Sequence, residues 1–357
     1  MIELTTFNAQ ELKAYIHSES FQNRRFLPIS YHRAMSQLNN PRLQAEDILL
    51  VLARINNDLV GYAGVLPDVL YNGSAPIRFG WLSTLYVDPK QRGKGIAKQL
   101  ILKTLETWQG KIASADYAPA SKIVYDKTEQ FLPHSLHGVR LYLKSALGDL
   151  LPPKHRFFEI SKPALNVLDS MLNRLPSRSK IDVPSKLAFE YPFRISDDLA
   201  AFIQNHQQEE SSRRNQEALN WIIEHPWIVK NYNESDRYHF SSEEEVFEQI
   251  PVVVKNEANN IKAFLFFTRR KNHLKLRYVY HDQCIDNVVW ALKFHISKWQ
   301  PALFTTFHSE LADELLSTKT PGLHKKSMVR NYFISKILDE KIDAIKLQDG
   351  DGDVAFT

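Results

Sequence analysis

Between Ser83 and Trp108 the sequence reads "STLYVDPKQRGKGIAKQLILKTLETW". Two glycines, Gly93 and Gly95, and three cations, Lys90, Arg92 and Lys94, separate an apolar run ending at Val87 from a run with helical spacing that carries Lys98. The first N–H groups of a helix have no internal acceptor and lie at the positive end of its dipole. Glycines let such a backbone approach an anion closely, and the flanking cations add charge. The pattern therefore predicts a pyrophosphate cradle, with a ligand-free connecting turn as the alternative. The common nucleotide loops do not fit. A Walker loop needs Lys-Ser/Thr after its last glycine, and Gly95 is followed by Ile96. A dinucleotide loop needs a third glycine where Lys98 stands and an acid on the next strand, and both are missing.

What does fit is Arg-x-x-Gly-x-Ala, Arg92 to Ala97, directly after "LYVDP". Here the sequence resembles the GCN5-related N-acetyltransferase (GNAT) superfamily, whose acetyl-CoA motif is Gln/Arg-x-x-Gly-x-Gly/Ala. The resemblance covers about residues 1–145 and is densest over 83–131. It implies that the backbone of Leu85, Tyr86 and Val87 runs alongside the pantetheine arm of acetyl-CoA, the cosubstrate, within a splayed strand pair. The N–H groups of Arg92, Gly93, Lys94, Gly95, Ile96 and Ala97 would then hold the pyrophosphate.

Downstream, "APASKIVYDKTEQF" resembles a second family segment, with Gln130 in place of a glycine and one extra residue before Phe131. This implies that Tyr125 is the general acid for the coenzyme A thiolate, a leaving group that needs a proton from a donor of somewhat higher pKa. A core aromatic is the plainer reading of the same residue. The family often carries its base as a Glu on the strand before the glycine turn, but "WLSTLYV" holds no carboxylate. Asp116 is the nearest acceptor on the next strand, and His134 and His137 titrate near neutrality. The implied reaction is direct acetyl transfer to the amine of a small molecule or amino sugar. Two rivals are an aminoacyl- or acyltransferase of the peptidoglycan bridge-forming (FemAB) type and a non-catalytic acetyl-CoA-binding module.

Behind these residues stands an α/β pattern with a mixed sheet. "MIELTTF" reads as a strand, Asn8 as the cap of the next helix, and Asn56-Asn57-Asp58 as a hairpin turn. "FGWLSTLYV" reads as a buried strand, and Ile96, Leu100, Ile101, Leu105 and Trp108 give the following helix one apolar face. Residues 1–150 are read as an acetyltransferase-like domain and 151–192, with six prolines, as an ordered connector. Residues 193–357 form a second α/β domain whose element order loosely repeats the first. That domain has His281-Asp282-Gln283 where a glycine turn would stand, so it is expected to be a degenerate GNAT-like unit that shapes the acceptor site without binding coenzyme.

Composition sets the remaining bounds. The 357 residues favour two domains, and 43% hydrophobic with 24% charged residues is an ordinary globular balance. A net charge of +4, from 45 basic and 41 acidic residues, does not suggest nucleic acid. No apolar run reaches the roughly 20 residues of a membrane span, and the N-terminus lacks an export pattern, so a cytoplasmic protein without a membrane partner is expected. The single cysteine, Cys284, excludes an internal disulfide, and the histidines lack ligand spacing, so no metal is expected. Asp349, Asp351 and Asp353 have the odd spacing of a calcium loop, but position six is Val354, so a terminal turn leading into a short strand is expected. The basic run "FTRRKNHLKLRYVYH" is expected to have one buried and one solvated face.

Overall fold

Local signals set the first elements of the computed structural model, which describes the chain except residues 24, 116–118, 146, 153–154, 174–185, 231–236 and 319–321. After β1 (Glu3–Phe7), Asn8 caps the helix Ala9–Ile16 in a reciprocal capping box with Glu11. β2 (Leu50–Ile55) returns into β3 (Asp58–Asn72) through Asn56 and Asn57, whose φ values of 50° and 69° are those of a hairpin turn. β3 pairs along its length with β4 (Ala75–Val87), far longer than the predicted "FGWLSTLYV". The helix Ile96–Thr107 and β5 (Ile112–Ala115) follow.

The described chain divides into two compact units that interleave in sequence. Unit 1 comprises Met1–Ser135, Phe193–Phe247 and Arg330–Thr357; unit 2 comprises Leu136–Pro192 and Glu248–Val329. This grouping by tertiary contact differs from the division at residues 150 and 193 suggested by sequence. The physical reason lies in two strands without a clear local pattern, β6 (Phe131–Tyr142) and β12 (His324–Ser335).

In unit 1 the sheet order is β1-β2-β3-β4-β5-β12, antiparallel except for the parallel β4–β5 pair. The last strand comes from the C-terminal half of the sequence and covers the open edge of β5. Both faces are buried, so β2 is apolar on both sides. Val51 and Ala53 face the helix Ile96–Thr107, while Leu50 and Leu52 face the helices Ala9–Ile16 and Tyr31–Leu38.

Unit 2 has strands β7 (Leu187–Glu190), β8 (Phe247–Asn256), β9 (Ile261–Arg270), β10 (His273–His281) and β11 (Leu303–Thr306), in the order β7-β8-β9-β10-β11-β6. β10 and β11 are parallel, joined through the helix Ile285–Trp299, and β6 from the N-terminal half closes the edge of β11. Unit 2 thus repeats the topology of unit 1, including a β-bulge in the strand before the helix: at Ser83 in β4 and at Arg277 in β10. β7 lies within the stretch read as a connector. The solvated face expected for the basic run is also corrected. Leu276 to Tyr280 are buried on both faces, and Arg277 donates to the Thr268 hydroxyl at 2.8 Å. At the C-terminus a short 3-10 helix, Val354–Phe356, replaces the predicted strand, because its apolar side chains are buried by a turn and not by an edge.

Candidate active site

The glycine turn follows β4 within unit 1. Asp88 accepts from the Lys90 N–H at 3.0 Å and pairs with Arg25 at 3.0 Å, ending the strand in a single 3-10 turn, Pro89–Gln91. Gly93 (φ 83°) and Gly95 (φ 77°) then hold left-handed backbone that a side chain would strain. Among the described residues, apart from the adjoining ones, no atom stands within 4 Å of where a Cβ would be at either position, so the glycines serve the backbone shape and leave open space before it. Gly95 caps the helix Ile96–Thr107 without a side chain, leaving its first N–H groups to a ligand or water. Arg92, Gly93, Lys94 and Gly95 are exposed and Ala97 half-buried, while Ile96 turns its side chain into the core. Lys94 rests on Gln91 at 2.7 Å, and the Arg92 Nε reaches the Val87 carbonyl at 3.4 Å.

Beside this turn the sheet opens. β4 and β5 pair only at Gly80–Ile112 and Trp81–Ala113, whereas β4 continues to Val87. Its other edge stays paired with β3 through Gly61–Val87. Among the described residues, the edge of β4 from Leu82 to Val87 therefore has no strand beside it. Leu85, Tyr86 and Val87 are half-buried along that edge. The Tyr86 ring stacks on His239 (3.8 Å) and Tyr62 (5.4 Å), and burial, then the Asp88 charge, raise its pKa.

Tyr125 lies on the helix Pro119–Asp126. Its ring is buried against Phe131 and Phe333, and its hydroxyl donates to the Ser114 hydroxyl on β5 at 2.8 Å. The tyrosine is thus a core aromatic with its polar end directed to the strand that borders the opening. Asp116 lies outside the described residues. His134 pairs with Asp339 at 2.7 Å, and His137 is exposed in unit 2.

Residues 14–115 match the Acetyltransferase (GNAT) family. The match spans β2 to β5 and the glycine turn. The fold is shared with a GCN5-related N-acetyltransferase from Anabaena variabilis (12% identity, TM-score 0.53), covering 93% of this chain and 72% of that one. It is also shared with a GCN5-related N-acetyltransferase from Kribbella flavida (14% identity, TM-score 0.50), covering 93% and 70%. At these identities the likeness is one of fold. Compared with curated proteins, the chain matches none.

Several residues that frame the opening carry no local signal. Trp81, at the last paired position before it, donates its indole N–H to Asp68 at 2.9 Å. Asp68 also receives a bidentate pair from Arg214 (3.1 and 3.0 Å) and a bond from Arg42. Burial opposes the Asp68 charge, but the two guanidiniums outweigh it and hold its pKa well below the usual carboxylate range. Arg214 bridges onward to Asp351 at 3.0 Å, which Ser212 and the Gln348 N–H also bind. Burial raises the Asp351 pKa. The odd-spaced acids of the C-terminal segment are thus ion-pair partners: Asp349 takes Arg330 at 2.6 Å, and Gly352 lies against Trp81.

The bulge itself has a partner that sequence did not disclose. The Ser83 carbonyl accepts from Arg33 at 3.4 Å, and the Ser83 hydroxyl donates to the Gly64 carbonyl at 3.3 Å. Among the described residues no group of three or more His, Cys, Asp and Glu side chains gathers that could hold a metal, and no helix is long and apolar enough to cross a membrane.

Proposed function

We propose that unit 1 is an acetyl-CoA-dependent N-acetyltransferase acting by direct transfer on an amine of a small molecule or amino sugar. The observation that carries this reading is the unpaired edge of β4, Leu82 to Val87, leading straight into the glycine turn. An amide-bearing arm such as pantetheine could lie along that edge as a missing strand. The pyrophosphate would then meet the N–H groups from Arg92 to Ala97, with Arg92 and Lys94 adding charge.

In the proposed reaction the neutral amine attacks the thioester carbonyl, a C–N bond forms and the C–S bond breaks. Backbone N–H groups of the bulged strand would polarise the carbonyl oxygen as it gains charge. The departing thiolate takes the Tyr125 proton, and the nitrogen releases its extra proton to water. Tyr125 is then reprotonated from solvent, with the Ser114 hydroxyl as its neighbour. Asp116 remains a proposed proton acceptor. Unit 2, with Gln283 in place of a glycine turn and the Arg277 guanidinium buried at its bulge, is proposed to bind no coenzyme.

The test is release of free coenzyme A thiol over a panel of amino sugars, nucleotide-linked amino sugars, polyamines, amino acids and peptides, beside calorimetry with acetyl-CoA. One acetyl-CoA bound per chain and thiol release with at least one amine are expected. Binding without release on any amine would replace the enzyme by a binding module. Two occupied coenzyme sites would overturn the reading of unit 2.

A further inference from the structure

We propose that Arg33 is a positioning residue for acyl transfer, fixing the bulged peptide of β4 through the Ser83 carbonyl; this rests on the acetyltransferase reading above. Arg33 lies on the helix Tyr31–Leu38, and its side chain is 4% exposed. Its Nη1 donates to the Tyr238 hydroxyl at 3.0 Å. Its Nη2 donates to both the Ser83 carbonyl and Asp353 Oδ2, each at 3.4 Å. The guanidinium carbon Cζ lies 3.7 Å from the Trp227 ring centroid. Trp227 is itself fixed, stacked on Phe356 at 4.6 Å with its indole N–H on Ser36 at 2.9 Å. A charged group is thus held on one face by an aromatic ring and at its edges by three oxygens.

The bulge is where such a constraint matters. Gly64 pairs with Thr84 and Val65 with Leu82, so Ser83 is the extra residue without a partner on β3. A peptide unit is planar, so the Ser83 carbonyl and the Thr84 N–H turn together. Holding the carbonyl on the Arg33 guanidinium therefore sets the direction of that N–H and of the unpaired edge that follows. Besides the β3 pairing on either side of it, the bulge is held by the 3.3 Å bond from the Ser83 hydroxyl to the Gly64 carbonyl. Arg33 thereby acts on the reacting carbonyl through Ser83 without touching substrate. It binds neither the pyrophosphate turn nor Tyr125.

The experiment separates orientation from binding. In Arg33→Met, kcat for thiol release should fall ten- to a hundredfold, in line with the cost of misplacing a reacting group by about 1 Å. The KM for acetyl-CoA and the calorimetric Kd for coenzyme A should stay within about twofold, since the turn is untouched. Arg33→Lys, which keeps the charge but not the fork, should fall between. An active wild type with an equally active Arg33→Met overturns the positioning role alone. A parallel loss of kcat and coenzyme affinity shows general damage and overturns it too. A wild type that releases no thiol with any amine removes the acetyltransferase reading, and this proposal with it. Should Arg33→Met fail to fold, Tyr238→Phe frees one edge of the guanidinium: a several-fold fall in kcat at constant KM is expected, and an unchanged kcat overturns the role.

Discussion

Replacing Gly95 with alanine tests the pyrophosphate cradle at its most constrained atom. Gly95 holds φ 77° with no atom of the described residues, apart from the adjoining ones, within 4 Å of where a Cβ would stand, so alanine meets no clash and only backbone strain remains. Left-handed backbone costs a non-glycine residue about 1–2 kcal/mol. The turn is exposed, so the free variant relieves this strain by relaxing out of the left-handed region. Restoring the cradle for the ligand then costs up to that amount, which converts to a five- to thirtyfold rise in Kd at about 0.6 kcal/mol for RT. Calorimetry with coenzyme A reads it directly. Gly73→Ala is the matched control: φ is 58°, nothing stands within 4 Å, and the residue sits in the β3–β4 hairpin turn. It carries the same kind of strain without touching the glycine turn, so its melting temperature should drop while Kd stays unchanged. Equal coenzyme affinity in Gly95→Ala and wild type would refute the cradle, as would an equal loss in both variants.

Three further outcomes are expected. Tyr125→Phe should lower kcat about a hundredfold, within the usual range for general acid catalysis, at a cost of about 1 kcal/mol in stability from the lost Ser114 bond; full turnover would leave Tyr125 as a core aromatic only. Asp68→Asn should cost about 3 kcal/mol in urea unfolding, because it leaves the Arg42 guanidinium without its carboxylate and the buried Arg214 with Asp351 alone. The folded pKa of Asp68 is depressed, so its contribution is present above the unfolded value near 4 and lost only as pH falls through the lower folded value; a variant as stable as wild type at pH 7 would contradict the ion-pair account. Burial and then the Asp351 charge push Glu210 up to about 9. A raised pKa contributes stability that is full below the unfolded value and fades as pH rises towards 9, so wild-type stability should decline from about pH 5 to 9 and Glu210→Gln should flatten that decline. An unaltered slope in the variant would assign the decline to other groups.

Much of the site was legible because its requirements are local. Left-handed backbone at Gly93 and Gly95, a strand stopped at Asp88 and a helix begun at Ile96 are each written within a few residues, and the spacing of Arg92, Gly95 and Ala97 carried the family resemblance. The Asn8 capping box and the Asn56-Asn57 turn were legible for the same reason. Tyr125 was singled out through its neighbours in sequence, whereas its bond to Ser114 on β5 depends on the fold.

The tertiary structure alone decided how the sheets are completed and what fixes the opening. β6 contains Pro133 and Gly138, and β12 begins with "HKK", so neither shows the alternation that marks a strand. Each forms because a parallel strand, β11 in one unit and β5 in the other, offers an edge whose backbone groups need partners. Nothing local in the sequence announces the pairing of Arg33 with Asp353 or of Arg214 with Asp68 and Asp351; partners as far as 320 positions apart meet only through the fold. The sequence by itself determined the turn that would hold a phosphate, because backbone conformation there depends on two glycines. Which charges are buried, and which strand borders which, depends on contacts between residues far apart in the chain, and only the folded protein states them.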